Sequence, residues 1–191
     1  VAANVCIDMK NKFLNNELWT LTVGAAFQRA YLYTDSAPDE EKKKFKEATR
    51  NFIENTILPH YKDGKVNEEN HVKYINELSD FTTSLATIFQ KGRMNFGISQ
   101  KMLNLYLKYQ WCKGDIAEPP HFPVDRIIQE ELNKIARKNK LKAKKIEPWT
   151  QFKDETKYLE VINFAKEMKA KEALLMKFSL PEVELYLFER R

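Results

Sequence analysis

The sequence predicts an all-α protein that folds as a single globular domain of six to eight helices. The chain has 191 residues, of which 43% are hydrophobic, and this is enough to form one core of its own. It contains only 5 Gly and 7 Pro, too few for the turns of a many-stranded β fold or for a glycine-rich nucleotide fold. We therefore expect long helices and few loops, and we assign residues 1–191 to one domain.

The individual helices follow from apolar residues that recur at the helical period and from residues that cap helix ends. Pro38 followed by three acids suits a helix start. Asn67, Ser99 and Thr150 are predicted N-caps, and Gly114 is a predicted stop. The predicted helices cover residues 11–33, 38–58, 68–90, 100–112, 123–140 and 151–171, and a short last helix follows the capping box that begins at Ser179.

The number and spacing of the cysteines and histidines indicate the redox compartment of the protein and whether it binds a metal or a cofactor. Cys6 and Cys112 are too few for a disulfide framework, which is typical of a reducing compartment. The three histidines are widely spaced and no HExxH motif occurs, so we predict no metal and no cofactor. No 18-residue apolar stretch and no signal peptide are visible. We expect a cytoplasmic protein without a membrane partner, nucleoid-associated if it acts on DNA, whose initial Val indicates a trimmed start.

The chain is basic, and its charge is concentrated in one segment. The net charge is +5 and the isoelectric point is about 9.0. The basic linker, residues 134–148, begins with seven Lys and Arg between positions 134 and 145 and no acid among them. This pattern is typical of a solvated helix end, and it also suits a patch that contacts phosphates. In the second interpretation Lys142, Lys144 and Lys145 would bind DNA.

The segment 92–132 contains the most specific pattern. The predicted helix 100–112 is apolar on nearly every side, which indicates a central, buried helix. Lys101, Asn104 and Lys108 share its one polar face, which is either the exposed face or the lining of a cleft. Gly97 and the residues after it precede this helix, either as an anion-binding helix N-terminus or as an ordinary capped turn.

A proline-rich lead-in precedes the next helix. Three prolines between positions 119 and 123 stiffen the chain. Asp125 follows in the first helical turn, where an acid is favourable for the helix dipole alone. A rigid lead-in also fixes where a side chain points, which a catalytic carboxylate requires.

Together these features resemble the helix-hairpin-helix DNA base-excision glycosylases, over residues 94–128. That family has a hairpin L-P-G-[VI]-G-x-K, a helix, and then [VI]-D-[TS]-[HN]-[VI]. Here the corresponding segments are Met94-Asn95-Phe96-Gly97-Ile98-Ser99-Gln100-Lys101 and Val124-Asp125-Arg126-Ile127-Ile128. The chain departs from the family at Phe96, Ser99, Arg126 and Ile127, and the segment between the two motifs is longer.

The resemblance implies a specific chemistry. The hairpin backbone at Gly97, with Ser99 and Gln100, would hold a DNA phosphate, and Lys108, His121 and Arg126 would contribute to DNA binding. Lys101 would match the nucleophile of the bifunctional members, and Asp125 the essential carboxylate. The enzyme would flip a modified or damaged base out of a duplex and cleave its glycosidic bond.

Two other interpretations remain open from the sequence. The protein could be a basic helical nucleic-acid-binding module without enzyme activity, in which the hairpin and the basic linker bind phosphates. It could also be a helical component of an anti-phage or toxin system, although no Arg precedes a His at the spacing of the helical ribonucleases. A geometric criterion separates these classes, because a glycosylase requires Lys101 and Asp125 to share one cleft.

Overall fold

The structure is all-α, as the sequence predicts. The computed structural model describes residues 2–62 and 64–188. One continuous helix runs from Asp39 to Lys62 and contains a π-helical segment, Ile53–Ile57. Short 3-10 turns cover Thr82–Ile88, Trp149–Gln151 and Leu175–Lys177. The α-helices of the described residues are α1 (Ala2–Phe27), α2 (Asp39–Phe52), α3 (Leu58–Lys62), α4 (Glu68–Phe81), α5 (Phe96–Lys113), α6 (Arg126–Lys138), α7 (Glu155–Lys169) and α8 (Leu180–Leu187).

Helix α5 is the central element of the fold. Every residue from Phe96 to Leu107 is buried, which agrees with its predicted apolar character on nearly all sides. It contacts α1, α4 and the 3-10 turn at 149–151. The rings of Trp19 on α1 and Tyr106 on α5 meet edge to face, with centroids 5.6 Å apart. The other helices therefore pack around α5, and its position determines where the candidate residues lie.

The first helix begins and ends earlier than predicted. It spans Ala2–Phe27 rather than residues 11–33, and its first half exposes Ile7 and Phe13 to solvent. The chain turns after Phe27 because Arg29 and Tyr31 adopt left-handed backbone conformations, with φ of 60° and 44°. Residues other than glycine rarely adopt positive φ angles, so no local pattern in the sequence marks the end of this helix.

A proline inside the second helix is accommodated by a π-helical segment. The helix was predicted to end at Leu58, but it continues through Pro59 to Lys62. Proline lacks a backbone N–H and clashes with the carbonyl four residues before it in a regular α-helix. The π-helical segment Ile53–Ile57 lies directly before Leu58, and its wider turn relieves this conflict.

Several caps differ from the prediction by a few residues. α4 ends at Phe81 and continues as a 3-10 turn. α6 begins at Arg126 with Asp125 as its N-cap, and α7 is capped by Asp154 instead of Thr150. The capping box is confirmed, because Ser179 and Glu182 each bond the other's backbone N–H. None of the helices in the described residues combines the length and hydropathy of a membrane span.

The start of α5 is covered by a distant part of the chain. The N–H of Gly97 donates to the carbonyl oxygen of Phe152 at 3.0 Å. A Cβ added at Gly97 would collide with the carbonyl oxygen of Trp149 and would lie 3.0 Å from the Cβ of Phe152. Glycine is therefore required at position 97 because backbone from residues 149–152 lies against it.

This close approach predicts opposite effects at two glycines. Gly97→Ala should lower the free energy of unfolding by about 3 kcal/mol, because the turn at 149–152 must move away from α5. Gly24→Ala is the matched control, since Gly24 lies in α1 with nothing within 4 Å of an added Cβ. The control should be neutral or raise stability by up to about 1 kcal/mol. Urea denaturation measures both values, and an equally small effect at the two sites would contradict the packing of 149–152 on α5.

Candidate functional site

The N-terminus of α5 lies inside the protein. Asn95, not Ser99, caps the helix, and its side chain accepts the N–H of Ile98 at 3.0 Å. The three residues predicted to hold a phosphate here, Gly97, Ser99 and Gln100, are all buried. The first turn of α5 therefore faces the protein interior instead of solvent.

Gln100 instead holds the proline-rich segment that leads to Asp125. Its side-chain nitrogen donates to the carbonyl oxygen of Val124 at 2.8 Å, and its side-chain oxygen accepts the N–H of Val124 at 3.1 Å. Both backbone groups of Val124 are thus satisfied by one carboxamide, in the manner of a neighbouring strand. This contact fixes the position of the residue directly before Asp125.

Lys101 and Asp125, 24 positions apart, form an ion pair. Lys101 Nζ lies 2.6 Å from Asp125 Oδ2, and the two side chains are only 8% and 13% exposed. Asp125 Oδ1 accepts the N–H of Ile128 at 3.0 Å and so caps α6. The carboxylate is held on both oxygens, which orients it relative to the amine. The two residues therefore lie next to each other, which is the proximity that a shared site would require.

A second buried ion pair lies on the same face of α5. Lys108 Nζ is 2.6 Å from Glu184 Oε2 of α8 and 4.5 Å from the ring centre of Phe188. Burial raises the pKa of Glu184 above its usual value, with Lys108 opposing the shift. Lys108, which the sequence predicts as a DNA contact, is only 12% exposed, and its charge is directed to Glu184.

The third polar residue of this face, Asn104, enters a buried network of histidines and tyrosines. Asn104 Nδ2 donates to Tyr158 Oη at 3.1 Å, and Tyr158 Oη is 3.0 Å from His121 Nδ1. His121, another predicted DNA contact, is 1% exposed. The predicted polar face of α5 therefore contacts other helices and loops of the protein.

The outer end of this network lies near a carboxylate. His121 Nε2 lies 3.6 Å from Glu68 Oε2, and Lys166 Nζ bonds the same carboxylate at 2.6 Å. The separation between His121 and Glu68 is longer than a hydrogen bond, and Nε2 of His121 has no hydrogen-bond partner among the described residues. Which atom donates between Tyr158 Oη and His121 Nδ1 depends on the tautomer of His121.

The inner end of the network contains a second histidine. Tyr61 Oη lies 2.7 Å from His71 Nδ1, and Tyr158 Oη lies 3.5 Å from His71 Nε2. The hydroxyl of Tyr158 therefore lies between the two histidines, and Tyr61 contacts His71 on its other side.

Burial keeps both histidines of this network neutral. It lowers the pKa of His71 well below the usual value, and the neighbouring His121 lowers it further. Burial also lowers the pKa of His121 to about 3, with a smaller contribution from Lys166. Burial raises the pKa of Tyr61 and Tyr158. The network is therefore built from neutral groups, and a proton added to it would place a charge in the core.

The basic linker forms one wall of a groove beside α6 and α7. Asn133 bonds both backbone groups of Lys144, each at 2.8 Å. Gln129 bonds both backbone groups of Glu147, at 3.0 and 2.8 Å. This basic groove has a volume of about 540 Å³. Its lining consists of Gln129, Asn133, Lys142, Ala143, Lys144, Lys145, Glu147, Lys157, Glu160, Val161 and Phe164.

The remaining predicted DNA contacts are accessible. Lys142, Lys144 and Lys145 line the basic groove and are exposed. The side chain of Arg126 is 69% exposed and bonds Glu130 at 2.6 Å. These residues lie on the side of α6 and the linker, and Gln129 connects them to Asp125 by donating to its carbonyl oxygen at 3.1 Å.

Sequence reasoning missed the carboxamide clamps, by which we mean Gln100, Gln129 and Asn133. Gln129 and Asn133 lie four positions apart and share the face of α6 that also buries Leu132 and Ala136. Polar residues on a buried face require hydrogen-bond partners, and this signal was present in the sequence. The partners lie in loops that no local pattern could identify.

Comparisons with known proteins give no further assignment. No protein-family model, curated protein or solved structure matches the chain. Within residues 2–62 and 64–188, no three His, Cys, Asp or Glu side chains come together as a metal site. The candidate site is therefore defined by geometry, as the Lys101–Asp125 ion pair with the adjacent basic groove.

The buried histidine network predicts a loss of stability in acid. The unfolded chain binds a proton at His121 near pH 6.5, whereas the folded chain binds it only near pH 3. The neutral, buried His121 therefore contributes to stability above pH 6.5, and this contribution is lost as the pH falls. Its loss between pH 7 and pH 5 should lower the free energy of unfolding by about 2 kcal/mol. His121→Gln should reduce this dependence, whereas the same change at exposed His60 should not. Equal pH slopes in wild type and His121→Gln, from urea denaturation, would contradict a neutral buried His121.

The Lys101–Asp125 ion pair predicts non-additive effects on stability. Lys101→Met leaves the Asp125 carboxylate without its partner and should lower the free energy of unfolding by about 3 kcal/mol. Asp125→Asn keeps an N-cap at α6 but leaves the Lys101 charge unpaired, with a similar loss. The double variant removes both charges and should be more stable than either single variant. A double-mutant cycle by urea denaturation checks this, and strict additivity would contradict the ion pair.

Proposed function

We propose that the protein acts on DNA as a base-releasing enzyme of the N-glycosylase type, with Lys101 and Asp125 as its reactive pair. The observation that carries the proposal is the 2.6 Å contact between Lys101 Nζ and Asp125 Oδ2. The resemblance assigns the nucleophile and the essential carboxylate to these two positions. The two residues are 24 positions apart in the sequence, and this separation does not by itself bring them together.

The geometry of the pair suits the chemistry. In the proposed reaction Asp125 Oδ2 takes a proton from the Lys101 ammonium, and the amine attacks C1′ of the sugar. The glycosidic bond breaks with its electron pair leaving on the base, which takes up the proton from Asp125. Asp125 is then a carboxylate again and stabilises the cationic adduct of sugar and lysine. The C1′–O4′ bond of this adduct opens as a proton passes from the lysine nitrogen to O4′, which leaves the protonated imine.

The base must leave the duplex before it can reach this pair. Lys101 and Asp125 lie between α5 and the start of α6, and the 13% exposed part of the Asp125 side chain is where a sugar would approach. A nucleotide whose base is still paired in the duplex cannot bring its sugar to this place, so the nucleotide is flipped out. Gly97 contacts Phe152, and the phosphate contacts are therefore assigned to Arg126, Lys142, Lys144 and Lys145.

Trapping of a covalent intermediate tests the proposal. Duplexes with a panel of modified and damaged bases are incubated with the protein and borohydride, which reduces the imine between Lys101 and the sugar. Wild type should give an adduct with at least one base, and Lys101→Met should give none. Lys108→Met is the matched control, because Lys108 also forms a 2.6 Å ion pair from α5 but lies outside the proposed reactive pair.

Each outcome of this experiment supports or contradicts a different part of the proposal. An adduct that persists in Lys101→Met contradicts Lys101 as the nucleophile. Base release without an adduct, lost in Asp125→Asn, supports a monofunctional reaction in which the carboxylate activates water. Wild-type protein that gives neither base release nor adduct with any base in the panel contradicts the enzyme proposal.

A second candidate function is a nucleic-acid-binding protein without enzyme activity. The observation that favours it is the enclosure of the Lys101–Asp125 pair together with the exposed lysines of the basic groove. In this case the ion pair serves only to tie α5 to α6. Duplex binding without base release, retained in the Lys101→Met and Asp125→Asn double variant, would support it.

A further inference from the structure

We infer that the basic groove is a binding site for the phosphate ester of a nucleotide, with the apolar part of the ligand against Val161 and Phe164. The inference rests on the proposed action on nucleic acid for its choice of ligand. It differs from the sequence-based expectation of a charged patch, because it assigns a bounded site with a cationic rim and an apolar floor.

Two lysines of the groove are available to a ligand. Lys145 lies 3.5 Å from Glu147, and Lys157 lies 3.0 Å from Glu160. Within residues 2–62 and 64–188, Lys142 and Lys144 form no ion pair, so their charges lack a carboxylate partner. Cations at the rim of a cavity attract an anionic ligand, and a phosphate is the anion that basic groups of nucleic-acid-binding proteins contact most often.

The Lys144 cation is held in place before any ligand binds. Its backbone N–H and carbonyl are both bonded by Asn133, and its Nζ lies 5.1 Å from the ring centre of Phe164. Less conformational freedom is therefore lost when a phosphate binds. This distinguishes Lys144 from a lysine on a mobile loop.

The floor of the groove suits the apolar part of a nucleotide. Val161 and Phe164 of α7 line it, and both are mostly buried by the protein. A volume of about 540 Å³ falls within the range of clefts that bind small ligands. A ligand with one anionic group and one flat apolar group matches this arrangement, and a nucleotide has both.

The position of the groove connects it to the proposed reaction. Gln129 lines the groove and donates to the carbonyl oxygen of Asp125. Lys144 is held by Asn133, which lies eight residues after Asp125, and eight residues of an α-helix correspond to a rise of about 12 Å. A phosphate at Lys144 would therefore belong to a neighbouring nucleotide of the strand whose sugar lies at Asp125.

The test compares two variants that lose the same charge. In Lys142→Gln/Lys144→Gln the groove loses its two unpaired cations. In the control, Lys134→Gln/Lys138→Gln, the lysines removed bond Glu131 and Glu172 outside the groove. Binding of thymidine monophosphate and of an eight-nucleotide oligothymidylate is measured by calorimetry at several salt concentrations. Urea denaturation checks that both variants remain folded.

We expect the groove variant to bind the oligonucleotide at least tenfold more weakly than wild type, and the control to change less than threefold. The slope of log K against log salt should fall by about 1.4 in the groove variant, because two contacts to a single strand are lost. Binding of the monophosphate with the same lysine dependence identifies a free nucleotide as a ligand, and binding of the oligonucleotide alone identifies a strand.

Two results would overturn the inference. The first is an equal loss of affinity in the groove and control variants, which would show a general effect of net charge. The second is the absence of binding by either probe to wild-type protein. Neither result bears on Lys101, which is tested by borohydride trapping, so the groove and the proposed enzyme activity can fail separately.

Discussion

The rest of the structure depends on how two extended segments satisfy their backbone hydrogen bonds without a β-sheet. The segments around Val124 and 144–147 lie against helices, and unpaired buried peptide groups would cost about 1–3 kcal/mol each. Gln100, Gln129 and Asn133 meet this requirement, since each bonds the N–H and the carbonyl of one residue in an extended segment. The carboxamide clamps thereby hold these two segments by paired hydrogen bonds, as a neighbouring β-strand would.

The candidate site follows from these clamps. Gln100 is adjacent to Lys101 on α5, and its partner Val124 is adjacent to Asp125, so the clamp places the two charged residues together. Gln129 bonds the backbone of both Asp125 and Glu147, which joins the ion pair to the basic groove. A change at Gln129 would therefore reach both the segment of the ion pair and the lining of the groove, whereas Gln100 and Asn133 each hold only one of the two segments.

The sequence could predict the elements that depend on local patterns. The all-α class, the stop at Gly114 and the final capping box follow from composition and capping. Partners from distant parts of the chain could not be predicted. Gly97 was expected to contact a phosphate, but residues 149–152 cover it. Similarly, the polar face of α5 was expected to meet solvent or a ligand, but it is buried against other helices and loops.

If the Lys101–Asp125 pair and the basic groove form one site for a nucleotide in a strand, a crystal structure of the protein with an oligonucleotide that carries a stable abasic-site analogue will show it most directly. The analogue's sugar should lie beside Lys101 Nζ and the Asp125 carboxylate, with a phosphate of the same strand between Lys142 and Lys144. A strand bound with its sugar away from Asp125, and with no phosphate in the groove, would contradict it.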